Sequence, residues 1–416
     1  MDFRFPIISL LLHFFLVISL VCPIYSLEIN SSRLLSQTFR QEKNLHKLKK
    51  TITLRLQQIN KSATKTIHSP DGDIIDCVIS HKQPAFDHPL LKGHKLLNSL
   101  EIPREHNQTE ILSDNFQLWS LSGETCPEGT IPIRRTKEQE ILKDTLNSKS
   151  ERKFNIVQMD ATNNRHEYAI GTVTGDAFYG ATANINVWAP HVESNTREFS
   201  LSQIWVLAGT FGKDLNSIEA GWQVYPSMYG DNQPRLFIYW TSDAYKKTGC
   251  YNLHCPGFVQ TSKQIVVGAA IRPISTYNGK QFEIKLSISK DPKNGHWWLK
   301  YGSSGHVVGY WPSSLFTHLN DKATMIQFGG EIVNSISKGS HTSTQMGSGH
   351  FAGNGFGKAS YFKHMQVMNF YNKLIPLPNL RLWADKPNCY SIKAGTTNTM
   401  GNYIYYGGPG KSAKCP

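Results

Sequence analysis

The amino-acid sequence predicts an all-β fold, a sandwich of two antiparallel sheets, preceded by a smaller mixed α+β segment. From His166 onward, short alternating strands recur with turn signals between them. Gly, Tyr, Trp and Thr are abundant in this half, as is typical of a β core. So many strands favour two packed sheets over one closed barrel. The 416 residues also exceed one ordinary domain, so a second unit is expected before the strands.

The predicted strands alternate apolar and polar residues, as strands with one buried face do. Their bounds are Tyr168–Val173, Ala177–Trp188, Phe199–Ala208, Ser217–Tyr225, Leu236–Thr241, Ile265–Ile271, Phe282–Ser287, His296–Tyr301, Val307–Trp311, Ala323–Val333 and Ala359–Asn369.

The first 26 residues have the pattern of a secretory signal peptide. Arg4 precedes an apolar run from Ile7 to Val21, and Ser26 is a small residue suited to cleavage. The run is too short for a comfortable membrane span. We therefore expect a secreted or lumenal protein.

Cysteine usage indicates the same oxidising compartment. Without Cys22 of the signal peptide, six cysteines remain, and they fall into three pairs that are local in sequence. Glycosylation sequons begin at Asn30, Asn60 and Asn107. The predicted disulfides are Cys77–Cys126, Cys250–Cys255 and Cys389–Cys415.

The segment between the signal peptide and the strands differs in character. It is basic, with an amphipathic helical pattern near its start, an extended docked stretch at Gln83–Lys95, a turn and a strand at Cys126–Thr136, and a charged connection at Lys137–Lys153. Much of the net charge of +13 lies here or just after it. The segment contains no motif typical of proteins that bind the grooves of nucleic acids, so nucleic acid is not the expected partner. We predict one domain over 27–155 and the sandwich over 156–416.

Two strands carry a mirrored polar pattern. In Ser217–Pro226, Glu219, Gly221 and Gln223 share one face, and Ile218, Ala220, Trp222 and Val224 share the other. In Met325–Val333 the polar face carries Gln327, Gly329 and Glu331. If the strands lie close together, two carboxylates and two amides line a groove with glycines in its floor. A solvated polar face is the simpler interpretation of either strand alone.

Two neighbouring carboxylates are suited to acid–base hydrolysis. They cannot both ionise cheaply, so one keeps its proton and acts as acid while the other acts as base. The sequence leaves open which glutamate takes which part. Gln223 and Gln327 could orient a water or hold an oxyanion, or only hydrogen-bond the glutamates.

Other catalytic patterns are missing from the sequence. It has no His-Glu-x-x-His or cysteine–histidine zinc spacing and no Gly-x-Ser-x-Gly elbow, and its paired cysteines leave no free nucleophile. We therefore expect no metal and no organic cofactor.

The segments Gln83–Lys95, Cys126–Thr136, Ser217–Pro226 and Phe328–Val333 resemble the plant neprosin family. The resemblance extends over essentially everything after the signal peptide. It implies a secreted zymogen, in the apoplast or a vacuole, of a glutamic endopeptidase that cuts at proline at acidic pH. The family's catalytic glutamates fall on Glu219 and Glu331.

Several further expectations follow from this resemblance. The propeptide would block the groove and be released at acidic pH, when carboxylates that pair with the basic propeptide are protonated. Trp205, Tyr239 and Trp240 could form a proline pocket, although most sandwich aromatics are core. The expected partners are proline-containing peptides and the chain's own propeptide, with no nucleic acid or membrane, and a monomer is expected.

Two alternatives remain open at this point. A sandwich with paired carboxylates also suits a glycoside hydrolase, in which Trp297 and Trp298, if exposed, would stack on sugars. The other alternative is a catalytically silent cell-wall or carbohydrate-binding protein that uses the same groove.

Overall fold

The computed structural model describes residues 46–97, 117–142, 165–194, 196–249, 251–335 and 339–416. The chain divides into two units, Met1–Arg55 and Leu56–Pro416. Of the first unit only 46–55 is described, and it is helical. The predicted signal peptide, Asn30, Asn107 and Cys250 lie outside the described residues. No helix in the described ranges has the length and hydropathy needed to cross a membrane.

The part of the second unit before the sandwich, residues 56–97 and 117–142, is called the N-terminal module here. Its small antiparallel sheet has the order β1 (Ala63–His68), β2 (Ile74–Ile79), β3 (Thr130–Arg134). Within the module, residues 56–59 are helical, and a short helix covers 138–142. The predicted mixed α+β character is thus confirmed. The 3-10 turns are Ser80–Lys82, Pro84–Asp87, Pro89–Leu91 and Leu118–Ser122.

Two antiparallel sheets form the sandwich, as predicted. The first, called the groove sheet here, has the spatial order β16 (Arg381–Ala384), β4 (His166–Phe178), β13 (Ala323–Val333), β6 (Ser200–Ala208), β7 (Asn216–Val224), β8 (Arg235–Thr241).

The second sheet, called the back sheet, is longer. Its order is β17 (Ser391–Thr397), β18 (Gly401–Gly407), β14 (Ser360–Met368), β5 (Gly180–Asn186), β10 (Glu283–Lys290), β11 (Trp297–Tyr301), β12 (His306–Trp311), β9 (Val259–Gln260), with β15 (Leu374–Pro376) beside β14. Connections include the helix Pro226–Tyr229 and the 3-10 turns Ser313–Leu315 and Ala352–Asn354.

The core lies between the two sheets and continues into the N-terminal module. On β7, the predicted apolar face Ile218, Ala220, Trp222 and Val224 is buried in it, which confirms the alternation. The module adds five buried side chains to the same core: Val78, Ala85, Leu91, Ile131 and Ile133. The module therefore packs as an extension of the sandwich, stabilised by apolar burial.

The strand prediction failed at Ile265–Ile271. This segment is a loop. The backbone N–H of Val266 donates to the side-chain oxygen of Gln117, and the backbone carbonyl of Val266 accepts from its side-chain nitrogen, both at 2.8 Å. Gly268, with φ +89°, turns the chain there, so no ladder forms. The predicted strands also omitted β1, β2, β9 and β15–β18.

Two predicted disulfides are present in the structure. Cys77–Cys126 and Cys389–Cys415 have Cα separations of 5.4 and 5.2 Å, within the usual range. Cys255 is also disulfide-bonded. The carboxamide of Asn60 makes two hydrogen bonds of 2.9 Å with the backbone of Thr136; its glycosylation stays a prediction.

Candidate active site

The two motif glutamates lie on one face of the groove sheet. On β7, Glu219 is opposite Trp205 of β6, and on β13, Glu331 is opposite Leu201 of the same strand. Directly opposed residues of antiparallel strands share a face, so β6 lies between two carboxylates that face the same side. Both are largely buried, with Glu219 5% and Glu331 6% exposed.

Gln203 occupies the centre of this arrangement. It lies on β6 directly between Gly221 of β7 and Gly329 of β13. A Cβ at Gly221 would come within 1.9 Å of the Ser202 carbonyl oxygen and 2.6 Å of the Gln203 Cβ. The glycine of the first motif therefore makes room for the Gln203 side chain, which fills the floor that was expected to be open.

Three donors hold the Glu219 carboxyl group. Ser217 Oγ and Tyr245 Oη donate to Oε1 at 2.6 and 2.7 Å, and Gln203 Nε2 donates to Oε2 at 2.9 Å. Burial raises the pKa of Glu219, and the negative charge of Glu331 adds to that rise, while the three hydrogen bonds offset part of it. The net shift is upward. Glu219 is the better placed of the two to keep a proton.

Glu331 has different partners. The Nδ1 atom of His166 lies 2.5 Å from Glu331 Oε1, and Tyr168 of β4 is directly opposite Glu331 in the sheet. Burial, followed by the charges of both glutamates, raises the pKa of Tyr168 well above its ordinary value. Tyr168 therefore keeps its hydroxyl proton and can act as a hydrogen-bond donor.

The two predicted glutamines lie at the other corners of the polar face. Gln223 is four residues along β7 from Glu219, and both its amide atoms are buried without a hydrogen-bond partner among the described residues. Gln327 donates to Thr172 Oγ1 at 3.2 Å. The only glutamine that the described contacts join to Glu219 is Gln203. The predicted catalytic roles of Gln223 and Gln327 stay predictions.

The predicted aromatic pocket is divided between the two faces of the sheet. Trp205 and Tyr239 flank Glu219 on the groove face, and Trp205 packs edge-on against Tyr168. Trp240 is opposite Ile218, is 2% exposed and packs on Phe316 in the sandwich core. Its assignment to the pocket was wrong, because neighbouring residues on a strand face opposite ways.

The sequence prediction missed Gln203, Tyr168, His166 and Tyr245. Gln203 had a detectable signal, since it is a polar residue flanked on its own face by Leu201 and Trp205. The others become visible only when strand order and loop position are known.

A buried ionic cluster joins the N-terminal module to the sandwich. Asp73 of the module accepts from Arg134 Nε at 2.9 Å and from the sandwich residue Arg235 at 2.6 Å. Arg134 also forms two bonds of 2.9 Å with Glu140, which lies 3.4 Å from His254 Nε2 of the sandwich. Buried carboxylates of the module thus face bases of the sandwich, which is the reverse of the expected polarity.

Both arginines of this cluster lie over one aromatic ring. The guanidinium carbons of Arg134 and Arg235 are 5.1 and 4.9 Å from the centroid of Tyr229. Burial alone would raise the pKa of Glu140, but its bonds to His254 and Arg134 lower it to about 2. Glu140 therefore stays ionised at mildly acidic pH.

A histidine pair forms a second contact between module and sandwich. His94 of the module bonds the hydroxyl of Tyr310 at 2.9 Å, and its ring lies 5.4 Å from that of His296. Burial lowers the pKa of His94. Burial, together with the charge of His94, lowers the pKa of His296 to about 4.

Two other clusters have structural explanations. His341, Cys389 and Cys415 lie close enough to hold a metal, but the two sulfurs are joined as a disulfide and are not available as thiolates. Trp297 and Trp298 are 0% and 2% exposed. The sugar-stacking surface of the glycoside hydrolase alternative is therefore buried in the core.

Comparison with known proteins gives two family matches. Residues 196–409, just over half of the chain, match the family described as Neprosin. Residues 66–172 match the Neprosin activation peptide. The activation-peptide match covers most of the described N-terminal module and ends within β4.

Solved structures of scytalido-glutamic peptidase are also similar to this chain. One holds a peptide-based transition state analog, has 14% sequence identity and a TM-score of 0.33, and covers 59% of this chain and 98% of its own. A second holds a transition state analog inhibitor, with 13% identity, the same TM-score, and coverage of 58% and 97%.

Proposed function

The chain belongs to the neprosin family of peptidases, and we propose that it is the secreted zymogen of a glutamic endopeptidase that cuts at proline. In this proposal residues 1–26 are a signal peptide, 27–155 are the propeptide, and 156–416 are the enzyme. One observation carries the proposal. Glu219 and Glu331 share one face of one sheet, are both largely buried, and are close enough for the charge of one to raise the pKa of the other.

The different partners of the glutamates assign them different roles. Glu331, beside His166 and Tyr168, is the base that takes a proton from water as the water oxygen attacks the peptide carbonyl carbon. Glu219, with its raised pKa, is the acid that donates its proton to the departing amine nitrogen. The peptide C–N bond is broken, a carboxylic acid and an amine are formed, and the dyad returns to its starting state by transferring one proton from Glu331 to Glu219.

The tetrahedral intermediate develops negative charge on the former carbonyl oxygen. Tyr168 keeps its hydroxyl proton next to both carboxyl groups, and the amide of Gln203 lies between the two strands that carry them. These donors are fixed before the reaction, which is the condition for effective stabilisation of an oxyanion. Trp205 and Tyr239, on the groove face beside Glu219, supply apolar walls for a proline ring.

Cleavage of proline peptides tests this proposal directly. We expect the acid-treated protein to cut peptides next to proline at acidic pH, with matched alanine peptides cut at least about tenfold more slowly. Chelators should have no effect, since the chemistry needs only carboxylates and water. Folded, processed protein that cuts no proline peptide at any pH would overturn the proposal.

Release of the propeptide at acidic pH is assigned to the histidine pair. Both histidines have a pKa below the ordinary value of 6.5 while the module is docked. The released state binds more protons, so docking weakens as the pH falls from about 6.5 toward 4. The charged groups facing the pair are Lys290, which adds to the repulsion, and Asp291, which opposes it. Glu140 of the ionic cluster stays charged in this range because its pKa is about 2.

Replacement of one histidine should therefore move the conversion. We expect His94→Gln, which can still bond Tyr310 but cannot be charged, to shift the midpoint of precursor conversion about half a pH unit or more toward acid. Gel analysis of purified precursor across pH measures the midpoint. His306→Gln, at an exposed position on β12, is the matched control. An unchanged midpoint in His94→Gln would remove the pair from the release mechanism.

A further inference from the structure

Among the described residues, the groove face becomes more exposed toward β16 than toward β8. Along the row that contains Gln203, the exposed fraction of each side chain rises from 0% at Gln203 to 8% at Ile170 on β4 and 62% at Trp383 on β16. In the opposite direction Phe237 on β8 is 1% exposed and packs in a cluster with Met228 and Tyr229. A peptide that follows this row from the glutamates toward β16 would therefore reach the exposed face of Trp383.

The floor of this row is suited to an extended peptide backbone. The register runs Gln203, Gly329, Ile170, Trp383 on β6, β13, β4 and β16. Gly329 has no side chain at the point where the row crosses β13, between Gln327 and Glu331. A substrate backbone can lie over it without displacing either residue, and the row leads directly to Trp383.

The indole of Trp383 is exposed, but its orientation is fixed by a hydrogen bond. Its indole Nε1 donates to Asp385 Oδ1 at 2.6 Å, and the other oxygen of Asp385 accepts from the backbone N–H of Tyr168 at 2.8 Å. Tyr168 is the cross-strand neighbour of Glu331 on β13. These two hydrogen bonds tie the exposed indole to the strand beside the dyad, which lowers the entropy cost of packing a ligand on it.

From these contacts we propose that Trp383 forms a substrate subsite for a second proline ring, about three residues from the scissile bond. The spacing follows from the sheet. Trp383 lies two strands from β13, or about 10 Å, and an extended peptide covers that distance with about three residues. Proline presents a flat, apolar ring and an already extended backbone, which suits a fixed aromatic surface. The subsite rests on the proposed function and would make proline-rich chains the preferred substrates.

Peptide pairs and three variants test the subsite. One peptide has proline at the cleavage point alone, and its partners add a second proline, or a leucine, three residues before or after the scissile bond. We expect the second proline on one of the two sides to raise kcat/KM about tenfold, mainly through KM, and leucine to do so less. Trp383→Ala should abolish this preference, and Trp383→Phe should retain most of it. Tyr371→Ala removes an 84% exposed aromatic from the β14–β15 turn of the back sheet and is the matched control.

A binding measurement separates this inference from the proposed function. Calorimetry of Glu331→Gln with the same peptides, during which turnover is greatly slowed, reports binding at the subsite. Tighter binding of the two-proline peptide that depends on Trp383 supports the subsite, even if the wild type cuts nothing and the proposed function fails. Equal binding and equal cleavage of one- and two-proline peptides, or a preference that survives in Trp383→Ala, would overturn the subsite.

Discussion

Replacing either groove glutamate, as Glu219→Gln or Glu331→Gln, is expected to lower kcat/KM on a proline peptide by about 10²- to 10⁴-fold. The losses should differ. The amide introduced by Glu331→Gln cannot remove a proton from water, so the base is lost entirely. The amide introduced by Glu219→Gln still offers an N–H to the substrate although it cannot transfer a proton, so we expect the smaller loss there. The double variant should be little worse than Glu331→Gln, because the two groups act as a unit.

The pH dependence distinguishes the two roles. Activity requires Glu331 ionised and Glu219 protonated, so the decline at higher pH reports the raised pKa of Glu219. We expect this decline to disappear in the residual activity of Glu219→Gln and to persist in that of Glu331→Gln. Both precursors are processed by tagged wild-type enzyme, which is then removed. Glu283→Gln is the control, since Glu283 is on the back sheet and pairs with Lys363. Full activity in either groove variant would contradict the dyad.

The sandwich could be predicted because strand alternation is a local property. The face of β7 that carries Ile218 and Trp222 was read correctly from period two, and so was its position in the core. Ile265–Ile271 has a similar apolar composition and is a loop. The backbone N–H and C=O of Val266 bond the side chain of Gln117, a partner nearly 150 residues away, so no local pattern could have indicated this conformation.

The site could be predicted only as far as each strand could be read by itself. The mirrored motifs identified Glu219 and Glu331. The position of Gln203 could be recognised only from the strand order. Because β6 lies between β7 and β13, its polar residue Gln203 lies at the centre of the site. Tyr245, which donates to Glu219, is in a loop after β8. By contrast, the error at Trp240 could have been avoided, since alternation already separates it from Tyr239.

The net charge of the N-terminal segment led to a wrong prediction of which side chains pair between module and sandwich. The N-terminal segment is basic overall, and ion pairs with sandwich carboxylates were expected. The buried contacts instead place Asp73 and Glu140 of the module against Arg235 and His254 of the sandwich. The net charge of a segment is determined mostly by its exposed lysines. A buried contact depends instead on the few charged side chains that are paired within it. We therefore propose that the acid sensitivity of propeptide binding comes from His94 and His296 and not from carboxylates of the sandwich.

Removing the carboxylate of Asp73 is expected to destabilise the precursor by about 3–5 kcal/mol, the usual cost of breaking a buried ion pair. Asp73 is the only described residue that accepts from both Arg134 and Arg235. Both arginines are almost fully buried, and in Asp73→Ala their positive charges would lie over Tyr229 with one counter-ion fewer. Urea unfolding of the precursor at neutral pH measures the loss as a lower midpoint at an unchanged slope.

An exposed ion pair of the same module provides the control. Lys65 and Glu124 are 3.0 Å apart with side chains 36% and 45% exposed, so Lys65→Ala should change the stability by less than about 1 kcal/mol. A double-mutant cycle with Asp73→Asn and Arg235→Gln isolates the bond that crosses from module to sandwich. If the propeptide is held by this cluster, Asp73→Asn should also release the module at neutral pH, where His94 and His296 are still uncharged. If the Asp73→Asn precursor is stable and shows no peptidase activity at neutral pH, apolar packing alone is sufficient to hold the module in place.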